Sequence, residues 1–205
     1  MDQDLRVWLA IPGKKKLMAK IPPLVLEDSS GKARALLDTA QERWGMVPNV
    51  LKTLANSEAA LEAWVHFTIA MEGTSLTAEL REKVSLAVSE ANGSEYCLRL
   101  HAALGRAAGL TEEEICDSRL GRSTSSRTEA ALAFAKALLA THGHAGEEAF
   151  QRLRKAGFRN GEIVELTVLV AMNVFSNYLT LTAGTVPDFP PVPDLPRAPE
   201  TAKSK

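Results

Sequence analysis

Aromatic residues and cysteines are both scarce in this chain of 205 residues. Aromatic side chains make up 5% of the sequence, and two cysteines occur. Runs that alternate Val or Ile with polar residues, as half-buried strands do, are scarce as well. Hydrophobic residues nevertheless make up 45% of the chain, and Ala, Leu and Glu recur. This composition favours an all-α domain.

An excess of charge of one sign is also lacking. The 24 Lys and Arg residues balance 25 Asp and Glu residues, and the basic ones are scattered apart from residues 14–16. Nucleic-acid-binding proteins carry a basic stripe or patch, so we predict no nucleic-acid partner. No uninterrupted apolar run approaches the ~18 residues of a membrane span, which predicts no membrane partner.

The first thirty residues are a poor signal peptide or transit sequence, because prolines and lysines interrupt their apolar stretches. Two cysteines without a secretory signal favour a reducing compartment, where a thiol is more plausibly free or catalytic than structural. We therefore expect a cytoplasmic protein. His142 and His144 lie in a predicted loop with no further ligand cluster, so we predict no metal site. Flavin and nucleotide signatures are also lacking, which predicts no cofactor.

The length fits one compact domain, since single cores divide only beyond roughly 250 residues. Residues 1–30 are broken by Pro and Gly and are predicted to form an N-terminal arm. Helix start and stop signals fill residues 31–186, and residues 187–205 form a proline-rich C-terminal tail. Within the domain, helices are predicted over 32–44, after Pro48, over 58–71, from Thr77, over 95–108, after Thr111, over 129–141, over 147–156, and from an Asn160 cap through 183.

The segment from Glu82 to His101 carries the strongest chemical signal. Asn92 and Gly93 form a turn signal between two apolar-periodic runs, and Ser94 is a preferred N-cap. Cys97 is therefore predicted in the first turn of a new helix, with His101 on the same face one turn later. Unpaired backbone N–H groups and the helix dipole favour the reactive thiolate at that position.

The helix terminus alone is too weak to ionise this thiol. A free thiol is only a few per cent ionised at neutral pH, and the dipole contributes about 0.3–1 kcal/mol. We therefore predict that His101 accepts the proton of Cys97. Glu82 carries the same charge as a thiolate, so it helps only by orienting His101 or by relaying the proton through water.

A weak internal repeat occurs at an offset of 83 residues. The matched pairs are Glu79 with Glu162, Glu82 with Glu165, and Leu86 with Leu169. The second copy has Thr180 and Gly184 where the first has Cys97 and His101, so the first copy alone keeps the reactive set.

The spacing of Glu82, Ser94, Cys97 and His101 resembles that of the alkylhydroperoxidase AhpD-like family, in the carboxymuconolactone decarboxylase superfamily. Peroxidases of that family carry a glutamate, Cys-x-x-Cys beginning twelve positions later, and a histidine four residues after the second cysteine. Residues 45–49, Gly-Met-Val-Pro-Asn, and 172–178, Met-Asn-Val-Phe-Ser-Asn-Tyr, resemble its peroxidase-related branch. The resemblance covers residues 30–190 and departs at Ser94, where the peroxidases have cysteine.

The resemblance implies an all-α fold with a duplicated helical hairpin, a hydroperoxide substrate and a homo-oligomer, either a trimer or a hexamer. It also implies that Cys97 is the peroxidatic thiol. Next to it, Tyr96 is expected to be a packed aromatic residue at the edge of the substrate pocket. Ser94 cannot form a disulfide. An oxidised Cys97 must then be resolved by an external thiol or dithiol, by Cys116, or not at all before over-oxidation.

Two other readings stay open at this stage. Carboxymuconolactone decarboxylases resemble the same fold and lack the cysteine pair, so Ser94 raises the prospect of a decarboxylase or lactone-processing enzyme. The second alternative is a non-catalytic member of the fold that serves as a binding or assembly module. Loss of Cys97 reactivity would favour this alternative. Ser94 itself is expected to act as an N-cap, because no separate base accompanies its hydroxyl.

Overall fold

The computed structural model describes residues 19–195, and these contain helices but no strand. This confirms the all-α fold class. A 3₁₀ turn, Leu26–Asp28, precedes the first α-helix. The helices are α1 Gly31–Trp44, α2 Asn49–Leu54, α3 Glu58–Glu72, α4 Ala78–Ala91, α5 Glu95–Ala107, α6 Glu112–Leu120, α7 Ser126–Ala140, α8 Glu147–Lys155 and α9 Asn160–Ala183.

Side-chain caps set most of the helix starts where the sequence predicts them. Ser57, Thr77 and Ser94 each accept a backbone N–H in the first turn of the helix that follows. Thr111 and Glu114 form a capping box at the start of α6, the helix predicted after Thr111. These caps satisfy N–H groups that have no partner within the helix. Because the capping residue lies next to the helix that it starts, the helix starts can be predicted from the sequence.

Two helix starts differ from prediction. Helix α7 begins at Ser126, three residues before the predicted start, because Ser125 accepts from the Thr128 N–H and caps it there. Asn160 is the first helical residue of α9 and not its cap. The Glu162 carboxylate accepts from the Arg159 N–H at 2.9 Å, so the turn is satisfied without an Asn side chain.

Helix α4 is the centre of the domain and packs against α5, α6, α7 and α9. One apolar cluster joins α4 to α7, α8 and α9 around the fully buried Phe134 and Leu166. A second joins α1, α2 and α3 around Leu37 and Leu61, and it includes Cys97 from α5. The amino end of α5 therefore packs in the cluster of α1, α2 and α3, while α4 packs in the cluster of α7, α8 and α9.

Polar side chains join α9 to the α4–α5 hairpin inside the protein. Three pairs of buried residues make this ladder: Asn173 donates to Ser85 at 3.0 Å, Asn177 donates to Ser89 at 3.4 Å, and Ser94 and Thr180 hydroxyls lie 3.0 Å apart. Buried polar groups are costly without partners, so these pairs fix the register of α9 against the hairpin.

The two repeat copies have different shapes. Gly93, at a φ of 66°, breaks the chain between α4 and α5. The position that matches Gly93, Ser176, lies inside α9, which continues straight through it. The first copy is therefore a hairpin that can hold side chains from two helices against each other, and the second is a continuous helix lying along it.

The described parts of the arm and the tail lie against the domain. The N–H groups of Lys20 and Leu24 donate to Ala183 and Lys52 carbonyls. In the tail, the Asp188 carboxylate accepts from the Asn49 N–H at 2.6 Å, and Arg119 donates to the Pro193 carbonyl at 2.6 Å. Residues 1–18 of the predicted arm and 196–205 of the predicted tail lie outside the described residues.

Helix α9 is, among residues 19–195, the one helix long and apolar enough to cross a membrane by length and composition. Of its most apolar window, 44% is buried inside the domain. The core helix of a soluble domain meets the same criteria, and the buried ladder residues of α9 fit that description.

Candidate active site

A cavity of about 390 Å³ lies between α3, α4, α5 and α9, and its wall is mostly apolar. Trp64, Leu100 and Met172 are among the apolar side chains that line it. Cys97, His101, Glu82 and Tyr96 line the same cavity, so the structure brings four of the predicted site residues to one space.

Cys97 lies in the first turn of α5 and is almost fully buried. Its N–H donates to the Ser94 Oγ at 3.4 Å, the capping bond that starts the helix. Its thiol donates to the Ser176 Oγ at 3.8 Å and lies 3.5 Å from the Thr180 Oγ1. Two hydroxyls of α9 therefore hold the sulfur where it meets the cavity.

Glu82 and His101 face each other across the α4–α5 hairpin. The His101 Nδ1 and the Glu82 Oε2 are 2.8 Å apart, and the two side chains are 11% and 15% exposed. A carboxylate accepts only, so Nδ1 carries the hydrogen in the neutral imidazole and Nε2 is left as an acceptor. Glu82 thereby orients His101 and selects the tautomer that can act as a base.

Among residues 19–195, the hydrogen-bond partners of the Cys97 sulfur are hydroxyls and do not include His101. The two side chains are four residues apart on α5, a spacing of about 5–6 Å between Cβ atoms. A proton can cross such a gap through one water in the cavity. The role of His101 as proton acceptor stays a prediction.

Ser94 lies behind Cys97 and does not line the cavity. It is 1% exposed, and its hydroxyl connects the Cys97 N–H to the Thr180 hydroxyl. The expectation that Ser94 caps the helix is confirmed. Its part in the chemistry remains a prediction.

Tyr96 is buried in the cavity wall, with its hydroxyl accepting from the Val50 N–H at 3.1 Å. Burial raises the pKa of Tyr96 far above its ordinary value, and the nearby Asp188 carboxylate raises it further. The phenol is therefore neutral at physiological pH. Phe189, from the C-terminal tail, packs edge-on against the Tyr96 ring at 6.2 Å and lines the cavity.

Sequence reasoning missed the contributions of α9 and of the tail. Ser176 and Thr180 contact the sulfur, while Asn173 and Phe189 line the cavity. One signal was available: polar residues recur every three or four positions in α9, an otherwise apolar helix, and therefore share one face. The position of Phe189 depends on how the tail folds back, which periodicity cannot show.

Cys116 lies on α6, is half-buried and does not line the cavity. Both cysteines are free thiols. Within residues 19–195, no group of three or more His, Cys, Asp or Glu side chains has an arrangement that could hold a metal ion.

The chain is similar to known proteins in sequence and in fold. The profile of the carboxymuconolactone decarboxylase family matches residues 58–140, which run from α3 to α7 and include Glu82, Cys97 and His101. No curated protein matches the chain.

Several solved structures share the fold. A peroxidase-related protein with an alkylhydroperoxidase AhpD core, from Ralstonia eutropha JMP134, is 26% identical, with a TM-score of 0.74 over 83% of this chain and 92% of that one. A peroxidase-related protein from Silicibacter sp. TM1040 is 23% identical, with a TM-score of 0.72 over 87% and 96%.

A third structure is the debrominase Bmp8, a cysteine-to-alanine variant in complex with 2,3,4-tribromopyrrole. It is 18% identical, with a TM-score of 0.71 over 84% of this chain and 93% of that one. At these identities the last two likenesses concern the fold alone. The profile match over residues 58–140, the all-α architecture and the AhpD core of the first neighbour support the predicted resemblance to the AhpD-like carboxymuconolactone decarboxylase superfamily.

Proposed function

We propose that this protein is a thiol-dependent hydroperoxide reductase in which Cys97 is the peroxidatic thiol. One observation carries the proposal: Cys97 and the hydrogen-bonded Glu82–His101 pair line the same apolar cavity. A thiol, a base and a group that orients the base are the parts that nucleophilic attack on an O–O bond requires. The names of the two peroxidase-related neighbours agree with this chemistry.

In the first step, His101 takes the thiol proton and the Cys97 thiolate attacks the terminal oxygen of the hydroperoxide. The S–O bond forms as the O–O bond breaks, and the departing alkoxide takes the proton back to become an alcohol. Cys97 is thereby oxidised to a sulfenic acid, and the hydroperoxide is reduced.

Recycling requires two equivalents of an external thiol. The first condenses with the sulfenic acid to give a mixed disulfide and water; the second attacks that disulfide, releases the oxidised thiol pair and restores Cys97. An internal disulfide cannot take the place of the first external thiol, because Ser94 has no sulfur with which to form one. A cytoplasmic compartment, which supplies low-molecular-weight thiols, suits this cycle.

The first chemical step can be tested apart from recycling. The reduced protein is treated with one equivalent of cumene hydroperoxide and then with dimedone, which labels sulfenic acids, and the labelled peptide is identified by mass spectrometry. We expect the label on Cys97. Cys116→Ser is the matched control and should be labelled to the same extent, whereas labelling that is confined to Cys116 would overturn the proposal.

A decarboxylase of the carboxymuconolactone type is the second candidate, favoured by the family profile and by Ser94. Arg81 lines the cavity and is the kind of cation that a substrate carboxylate needs. Its guanidinium, however, already donates to the Leu76 carbonyl at 3.0 Å. Carbon dioxide release from carboxymuconolactone that persists in Cys97→Ser would establish this function in place of the first; no turnover by either assay would leave a binding module.

The same proposal includes a homo-oligomer assembled through α9. Val164, Phe175 and Tyr178 lie on one face of that helix and are 62%, 46% and 60% exposed. Exposed apolar stripes of this kind mark association surfaces. Light scattering after size exclusion is expected to report a trimer or hexamer for the wild type and smaller species for Tyr178→Glu; a monomeric wild type would refute the assembly.

A further inference from the structure

Two buried polar atoms in the cavity wall lack a hydrogen-bond partner among residues 19–195. They are the Asn173 Oδ1, on α9, and the Thr68 Oγ1, on α3, and both residues line the cavity. Asn173 is 1% exposed, so the bulk solvent does not satisfy its carbonyl oxygen. An acceptor left unpaired in a protein interior costs stability, which is tolerated at sites where a ligand completes the bond.

The orientation of the Asn173 amide is fixed by its other contacts. Its Nδ2 donates to the Leu169 carbonyl at 2.9 Å and to the Ser85 Oγ at 3.0 Å. A carbonyl oxygen can only accept, so the nitrogen must face Leu169 and the Oδ1 must be the unpaired atom. Thr68 has no such constraint, because its hydroxyl can rotate to donate or to accept.

The charged groups in the cavity wall all have partners. Glu72 accepts from Trp44 at 3.0 Å and pairs with Arg43; Arg81 donates to the Leu76 carbonyl, and Glu82 pairs with His101. The unpaired group held in a fixed orientation is thus a neutral acceptor. A carboxylate ligand, which brings acceptors only, would place like partial charges together at Asn173.

Asn173 lies one helical turn before Ser176, whose hydroxyl contacts the Cys97 sulfur. Residues three apart on a helix have Cβ atoms about 5–6 Å apart, so an atom bound at Asn173 lies near the thiol. In a hydroperoxide, the terminal oxygen is both the hydrogen-bond donor and the atom that the thiolate attacks.

We propose that Asn173 determines specificity: its Oδ1 accepts the O–H of a neutral, largely apolar organic hydroperoxide and so holds the terminal oxygen beside Cys97. This inference rests on the proposed function and narrows its substrate class. The apolar wall favours an organic group of the size that a cavity of about 390 Å³ can enclose.

Binding of stable probes tests this inference without turnover. The probes are 2-phenyl-2-propanol, which has one hydroxyl donor, and its methyl ether, which has none. Trp44 and Trp64 line the cavity, so quenching of tryptophan fluorescence in the full chain reports binding. The test variants are Asn173→Leu and, as a less disruptive second choice, Asn173→Ala. The matched control is Thr68→Val, which removes the other unpaired polar group, a hydroxyl, at nearly constant side-chain volume.

We expect the wild type and Thr68→Val to bind the alcohol about tenfold more tightly than the ether, because leaving a buried acceptor without a partner changes an affinity by about 5- to 150-fold. The preference should disappear in both Asn173 variants. The inference would be overturned if the wild type bound the two probes equally or bound neither. It would also be overturned if the preference for the alcohol survived in the Asn173 variants or disappeared in Thr68→Val. Labelling of Cys97 by dimedone is independent of these results, so failure of the proposed function is seen separately.

Discussion

The pairing of Glu82 with His101 makes a quantitative prediction about the oxidation of Cys97. Glu82→Gln keeps the shape of the side chain but removes its charge. The amide can donate to the His101 Nδ1 in place of accepting from it, and this selects the tautomer in which Nε2 carries the hydrogen. That tautomer cannot accept a proton from the thiol through Nε2.

The expected loss follows from the size of the interaction. A positioned general base contributes about 10²- to 10⁴-fold to a rate, so we expect Glu82→Gln to slow Cys97 oxidation by about 10²-fold or more. The stability cost should be smaller. A hydrogen bond to a charged group contributes about 1.5–3 kcal/mol and a neutral one about 1 kcal/mol, which leaves a deficit of about 0.5–2 kcal/mol.

The assay is the rate of single-turnover oxidation by cumene hydroperoxide, followed by rapid quench and dimedone labelling, alongside urea unfolding. Glu90→Gln is the matched control, because Glu90 lies on the same helix and pairs with Arg119 at 2.8 Å outside the cavity. The control should oxidise at the wild-type rate. A wild-type rate in Glu82→Gln, or an equal loss in Glu90→Gln, would refute the orienting role of Glu82.

Three further changes have predictable results. Ser94→Ala removes the α5 cap and should lower the free energy of unfolding in urea by about 1–2 kcal/mol; an unchanged midpoint would contradict the capping role. Hydrogen bonding to the Arg159 N–H lowers the pKa of Glu162, so its contribution to stability is present at neutral pH and is lost as the pH falls below the ordinary carboxyl range. Unfolding curves of the wild type and Glu162→Gln should therefore differ at pH 7 and converge in acid, and a difference independent of pH would count against the pairing. Phe189→Ala opens the cavity wall and should raise KM for cumene hydroperoxide several-fold more than it changes kcat, whereas an unaltered KM would exclude Phe189 from the binding surface.

Local signals predicted most of the fold. Caps such as Ser94 and Thr111 act within a few residues, so their effect on helix starts can be read from the sequence. The two helix starts that differ from prediction have local causes too, since the Ser125 hydroxyl caps α7 and the Glu162 carboxylate takes the role expected of Asn160. The all-α class follows from the same short-range information.

The candidate site could be predicted only in part from the sequence, for a physical reason. Glu82, Cys97 and His101 lie within one hairpin, so short-range spacing brings them to the same cavity. Ser176 and Thr180 reach the sulfur from a helix about eighty residues later, through packing that one sequence does not reveal. In the sequence, Asn173 is part of the segment 172–178 that carries the family resemblance; its unpaired oxygen is defined by the contacts of its own amide in the folded protein.

Turnover of cumene hydroperoxide with dithiothreitol, measured in parallel for the wild type, Cys97→Ser and Ser94→Cys, tests the central claim most directly. We predict slow turnover by the wild type, none by Cys97→Ser, and faster turnover by Ser94→Cys, because the introduced thiol can resolve the sulfenic acid as a disulfide. Consumption that continues in Cys97→Ser, or no Cys97-dependent consumption in any variant, would contradict the peroxidase account.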